Sequence, residues 1–167
     1  WRKGAYAADP RSIISATLGS DNVGWVPGFY SASLPRIESE GLPGAKMHTA
    51  RYVDIDCDLY SSSRDALRFL LRNGLLAAGS LVGYDDWWVL PCGDPTGTTS
   101  PLDVGEGRAH AGLSAMFDVE FVCVAGSCLS PLAPPRRMLH HERLAWGAVF
   151  VVASIGKGRG HTGFVTN

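Results

Sequence analysis

Residues 50–86 change their hydrophobic period twice, and that change restricts the fold more than any other feature of the chain. ARYVDIDC (residues 50–57) alternates apolar and polar side chains and is rich in β-branched residues, the pattern of a strand. SSSRDALRFLLRNG follows. Ala66, Leu67, Leu70 and Leu71 form one helical stripe there, and Asn73-Gly74 closes it. Ser62 with Asp65 three residues later reads as a variant capping box. SLVGYDD is then a second strand. Strand, helix, strand is a βαβ unit, which predicts parallel strands and a right-handed crossover.

The flanking sequence extends this α/β pattern. Pro10 followed by RSIISATLG predicts a short helix closed by Gly19. Residues 23–26 read as a short strand ending in a loop at Pro27 and Gly28, and residues 36–49 as a polar connection. Residues 87–104, rich in Gly, Pro and Thr, form a loop over the C-terminal edge of the sheet. Residues 105–117 are a predicted helix with Ala109, Leu113 and Met116 inward. Residues 119–124 and 145–155 are the last two strands, and a Gly-rich tail follows.

The chain has 167 residues, which suits one domain over residues 1–167. Hydrophobic residues make up 46%, enough for a core. Lys+Arg at 15 against Asp+Glu at 16 leaves a net charge of −1, which offers no electrostatic footprint for nucleic acid or an anionic membrane. No apolar run approaches the roughly 20 residues of a membrane helix. A cytoplasmic protein with no nucleic-acid or membrane partner is expected. Cys57, Cys92, Cys123 and Cys128 form no CxxC pair and no zinc spacing. Cys57 and Cys123 lie in apolar strand-like segments, so core thiols are expected, with a Cys123–Cys128 disulfide as the alternative. His110, His140, His141 and His161 show no ligand spacing.

Ligands of open α/β sheets bind beyond the carboxyl ends of the strands. Two strands here end in acids: Asp54, Asp56 and Asp58 after the first, Asp85 and Asp86 after the second. Like charges gathered in one crevice need a cation, and Mg²⁺ suits a few carboxylates completed by water and substrate. The competing reading is that these acids cap the helix and turn that follow, as Asp58 would at a helix N-terminus. Phosphoryl chemistry on the same metal is disfavoured, because no Lys or Arg lies between Arg72 and Arg108.

VDIDCDLYSSSRDALRFLL followed by GSLVGYDDWW resembles the core of the macrocin O-methyltransferase (TylF-like) family. NVGWVPGFYSASLP and GEGRAH are similar to that family's segments at the corresponding points. The resemblance implies a Rossmann-like class I methyltransferase fold, with a mostly parallel sheet and an antiparallel last strand. It also implies S-adenosylmethionine and Mg²⁺ as cofactors, and methyl transfer to a hydroxyl of a sugar or other small molecule. By the resemblance Asp56, Asp85 and Asp86 are metal ligands and Asp58 is the general base. Tyr60, Trp87 and Trp88 are candidate substrate contacts, with packing in the core as the competing reading of each. The family's strand order, 3-2-1-4-5-7-6, implies that the first two strands, with their Gly-rich cofactor turn, are missing at the N-terminus. A four-stranded core is then expected, with the N-terminal segment displaced or poorly packed and residues 50–57 at a sheet edge. A non-catalytic metal-binding or scaffold domain of the same fold is the alternative.

Overall fold

The computed structural model describes residues 11–19, 23–42, 46–88, 94, 96–129 and 147–156. In chain order these form α1 (Arg11–Leu18), α2 (Tyr30–Glu40), β1 (Tyr52–Ile55), α3 (Tyr60–Arg72) and β2 (Leu81–Tyr84). A short 3-10 turn (Pro101–Asp103) leads into α4 (Gly105–Phe117) and β3 (Val119–Gly126). A second 3-10 turn (Ser127–Leu129) and β4 (Ala148–Ile155) complete the set. The four strands make one open mixed sheet in the order β1-β2-β4-β3. β1 and β2 pair in parallel, Tyr52 opposite Leu81 and Ile55 opposite Tyr84. β4 runs antiparallel to both β2 and β3, so three of the four strands share one direction. The fold is α/β, as the βαβ pattern requires.

Burial explains the elements. β2 is paired on both sides, and Val82, Gly83 and Tyr84 are all buried, the near-continuous apolar run of a central strand. β1 keeps its alternation: Val53 and Ile55 face inward, while Tyr52 and Asp54 are exposed. Among the described residues it pairs on one side only, so it is an edge strand. α3 buries Ser63, Leu67 and Leu71, each four residues from the last, and packs on both α2 and α4. Leu67 and Leu71 join Ile55, Val82, Tyr84, Trp87, Leu113, Phe117, Phe150 and Val152 in a single core.

Four expectations need correction. Residues 23–26 are not a strand, and α2 replaces both the loop after them and the first part of the polar connection. Pro35 lies inside α2. Ser33 and Ile37, four apart, are buried, and the Ser33 Oγ donates to the Phe29 carbonyl at 3.0 Å. The Ser62–Asp65 capping box is absent: α3 begins at Tyr60 with Leu59 as N-cap, and Asp65 instead pairs with Arg64 at 2.8 Å. On α4 the inward row is Ala109, Leu113 and Phe117, while Met116 is 60% exposed, because one residue along a helix turns a side chain by about 100°. Cys123 and Cys128 form a disulfide rather than two core thiols. Cys92, His140, His141, His161, the Gly-rich tail and the first residues of the 145–155 strand lie outside the described residues. α1 buries none of its residues, and among the described residues no helix is long and apolar enough to cross a membrane.

Candidate metal centre

Because β1 and β2 are parallel, their carboxyl ends open on the same side of the sheet. The ladder runs on to a bond from the Asp85 N–H to the Ile55 carbonyl, 3.3 Å. Beyond it the two chains diverge into acid-bearing turns. Asp58 has φ 54°, a left-handed conformation that aspartate tolerates better than most residues. One carboxylate oxygen from each of Asp56, Asp58 and Asp86 lies within 4.8 Å of the others. At that spacing each pair of charges repels by about 1 kcal/mol in bulk water and roughly 3–4 kcal/mol at an effective dielectric of 20. An all-oxygen, all-anionic donor set of this kind fits a hard divalent cation.

The trio differs from the expected ligand set by one exchange: Asp58 is in it and Asp85 is not. Asp85 is exposed. Its carboxyl is nonetheless raised above the ordinary aspartate value, first by partial desolvation and then by the charges of Asp56, Asp54 and Asp58. Asp54 is exposed on β1 and accepts from the Tyr52 hydroxyl at 3.0 Å, outside the trio. Tyr60, 37% exposed, is the first residue of α3, with the Arg108 guanidinium 4.7 Å from its ring centre. Trp87 and Trp88 are both buried core residues. Trp87 lies 4.9 Å from Phe150 between ring centres, and the Trp88 Nε1–H donates to the Ser127 carbonyl at 3.2 Å. They line a cavity of about 800 Å³ with Thr98, His110, Phe121 and Phe150, and none of the three aspartates lines it.

Two positions beside the cluster escaped the sequence reading. Tyr30, the first residue of α2, is 40% exposed, and its hydroxyl pKa is raised first by partial desolvation and then by the nearby Cys57 and Asp56 groups. Glu106, the second residue of α4, is 1% exposed. Its Oε1 accepts from the Cys57 N–H at 3.3 Å and its Oε2 from the Asp86 N–H at 3.0 Å. Burial pushes its pKa up to about 7; the Cys57 N–H opposes this, while Asp56, Asp58 and Asp85 add to it. A glutamate in a helix's first turn reads as an exposed partner of the helix dipole. Only the packing of α4 reveals otherwise.

The preceding loop delivers that packing. Asp94 accepts from the Thr96 and Thr99 hydroxyls, each at 2.7 Å, and from their N–H groups at 2.8 and 3.0 Å, and these bonds, the hydroxyls first, hold its carboxyl well below the usual range. Ser100 and Asp103 then cap the 3-10 turn reciprocally. Gly107 lies directly under that turn, where a Cβ would collide with the Pro101 carbonyl. The Cys57 thiol, beside the trio, is pushed up to about 11, chiefly by burial.

Fold and site together define a mixed-sheet α/β protein with an acidic cluster at the carboxyl ends of two parallel strands. No protein-family profile, curated protein or solved structure matches the chain.

Proposed function

We propose that the chain is part of an S-adenosylmethionine-dependent, Mg²⁺-assisted O-methyltransferase acting on a hydroxyl of a sugar or other small molecule. The observation that carries the proposal is the convergence of Asp56, Asp58 and Asp86 at the ends of two parallel strands. The strand order β1-β2-β4-β3, with β4 reversed, supports it further, since it matches the last four strands of the order the resemblance implies. Asp56 and Asp86 hold the ion in this reading, and Asp85 is left outside the ligand set. Bound Mg²⁺ supplies charge that lowers the pKa of a substrate hydroxyl. Asp58 accepts the proton from that hydroxyl, which makes the oxygen a competent nucleophile. Tyr60 flanks the acceptor, whereas Trp87 and Trp88 support the site from the core. S-adenosylmethionine supplies the methyl group, and no residue of this chain is assigned to hold it. A cytoplasmic location remains part of the proposal.

The test is a methyl-transfer assay on the protein expressed from its whole reading frame. It uses S-adenosylmethionine labelled in its methyl group, Mg²⁺, and a panel of hydroxylated acceptors with sugars first. Transfer that is lost in chelator, and falls at least about a hundredfold in Asp58→Asn, is expected for an essential base. Undiminished transfer in Asp58→Asn overturns that residue's role. Metal binding without any transfer favours the scaffold reading.

A further inference from the structure

We infer that Glu106 is the positioning residue of the acidic centre: its carboxylate ties the two acid-bearing strand ends together and so sets the spacing of Asp56, Asp58 and Asp86. The functional sense of this inference rests on the metal reading above, but the tie itself does not.

The argument begins where the sheet stops. The bond from the Asp85 N–H to the Ile55 carbonyl is, among the described residues, the last backbone hydrogen bond joining the two segments. Asp56, Cys57 and Asp58 on one side, and Asp86 on the other, lie beyond it. Nothing in a β-ladder dictates how far apart such turns stand. Glu106 bridges them with its two oxygens, one on the Cys57 N–H and one on the Asp86 N–H. Cys57 sits between two members of the trio, and Asp86 is the third. Fixing these two N–H groups therefore fixes the backbone from which all three carboxylates project.

The alternatives are weaker. A glutamate kept for the helix dipole gains nothing from being 1% exposed, and burying a carboxylate beside other acids is costly. A fourth ligand would turn an oxygen toward the cluster, yet both Glu106 oxygens accept from backbone donors. The rest of α4 is shaped for the same contact. Gly107 leaves no side chain between the helix and the Pro101 carbonyl, and α4 packs against α3 and the 3-10 turn. Groups outside the ligand set that fix the orientation of a metal site's ligands are worth roughly 10–100-fold in metal affinity.

The test compares the wild-type chain with Glu106→Gln. Glutamine fills the same space, but its NH₂ cannot accept from an N–H, so one bridge is lost. Three readouts are taken: amide exchange by NMR, thermal unfolding, and Mn²⁺ affinity. In the wild type, the Cys57 and Asp86 amides should exchange at least about tenfold more slowly than unbonded loop amides. Fast exchange of both there overturns the inference before any variant is made, which covers a variant that fails to fold. In Glu106→Gln at least one of the two should speed up about tenfold while the Val82 amide is unchanged. The Mn²⁺ dissociation constant should rise about tenfold with the unfolding midpoint nearly kept. Unchanged exchange and unchanged Mn²⁺ affinity in a folded Glu106→Gln overturn the tie. A wild-type chain that binds no Mn²⁺ defeats the metal reading instead, and the amide measurements still decide the tie.

Discussion

Glu106 and His110 stand one turn apart on α4, both buried, yet they belong to two different regions of the molecule. Glu106 faces the acid-bearing ends of β1 and β2, held by two backbone N–H groups. His110 faces the aromatic core: its Nδ1 lies 3.1 Å from the Tyr84 hydroxyl, and its ring centre is 4.4 Å from Phe150 and 4.5 Å from Phe121. Burial drives both toward the neutral form, Glu106 up to about 7 and His110 down to about 4. For His110 burial is the sole cause, whereas the carboxylates of the site add to the shift of Glu106. One helix thus anchors the core with one turn and organises the site with the turn before it. A buried ionisable group marks function only when its partners converge on something more than packing.

The largest effect tests whether this face of α4 is the anchor. Leu113→Ala, one turn beyond His110 at a 3% exposed position, should cost about 2–5 kcal/mol in urea unfolding. Met116→Ala, on the exposed face, should stay within about 0.5 kcal/mol. Equal costs for the two would break the assignment of the inward row.

Next comes acidity, measured on the metal-free chain in chelator. The folded-state pKa of Glu106 is raised from its ordinary 4.5 to about 7. Its contribution to stability is therefore full below about pH 4.5 and is lost as pH rises through 7. The His110 value is depressed from 6.5 to about 4, so its contribution is present above about 6.5 and is lost as pH falls through 4. Each slope amounts to about 3 kcal/mol at roughly 1.4 kcal/mol per unit. The two oppose each other over almost the same window, so the wild type should show a shallow pH profile there. Glu106→Gln should expose the His110 slope, with stability falling toward pH 4. The double replacement Tyr84→Phe with His110→Phe, which leaves no orphaned hydroxyl, should expose the reverse slope. Two variants with the same slope would show that one of the shifts is misassigned.

How much of this was legible in the sequence varied with the kind of force involved. The βαβ unit could be read because Val53, Ile55, Leu67 and Leu71 report burial through spacing alone, and period is a local property. α2 could not, because Pro27 and Gly28 read as a loop, and the helix shows itself only in the burial of Ser33 and Ile37 and in its packing against α3. The aspartates were visible as strand-end clusters, and their convergence follows from parallel pairing. Which of Asp85 and Asp58 joins the trio depends on turn geometry, including the left-handed Asp58, and no residue pattern encodes that. Glu106 was invisible for the same reason: its partners are main-chain N–H groups 49 and 20 residues away.

The smallest expected effect, and the most direct test of the central claim, is a Mn²⁺ titration followed by electron paramagnetic resonance on the wild type, Asp56→Asn, Asp86→Asn and Asp85→Asn. The account predicts one ion per wild-type chain. It also predicts affinity about tenfold weaker in Asp56→Asn and Asp86→Asn, or about 1.4 kcal/mol. Asp85→Asn should move it by less than about threefold, since that carboxylate lies outside the trio. Binding that survives Asp56→Asn and Asp86→Asn unchanged, or that depends on Asp85 most, would contradict the three-aspartate centre.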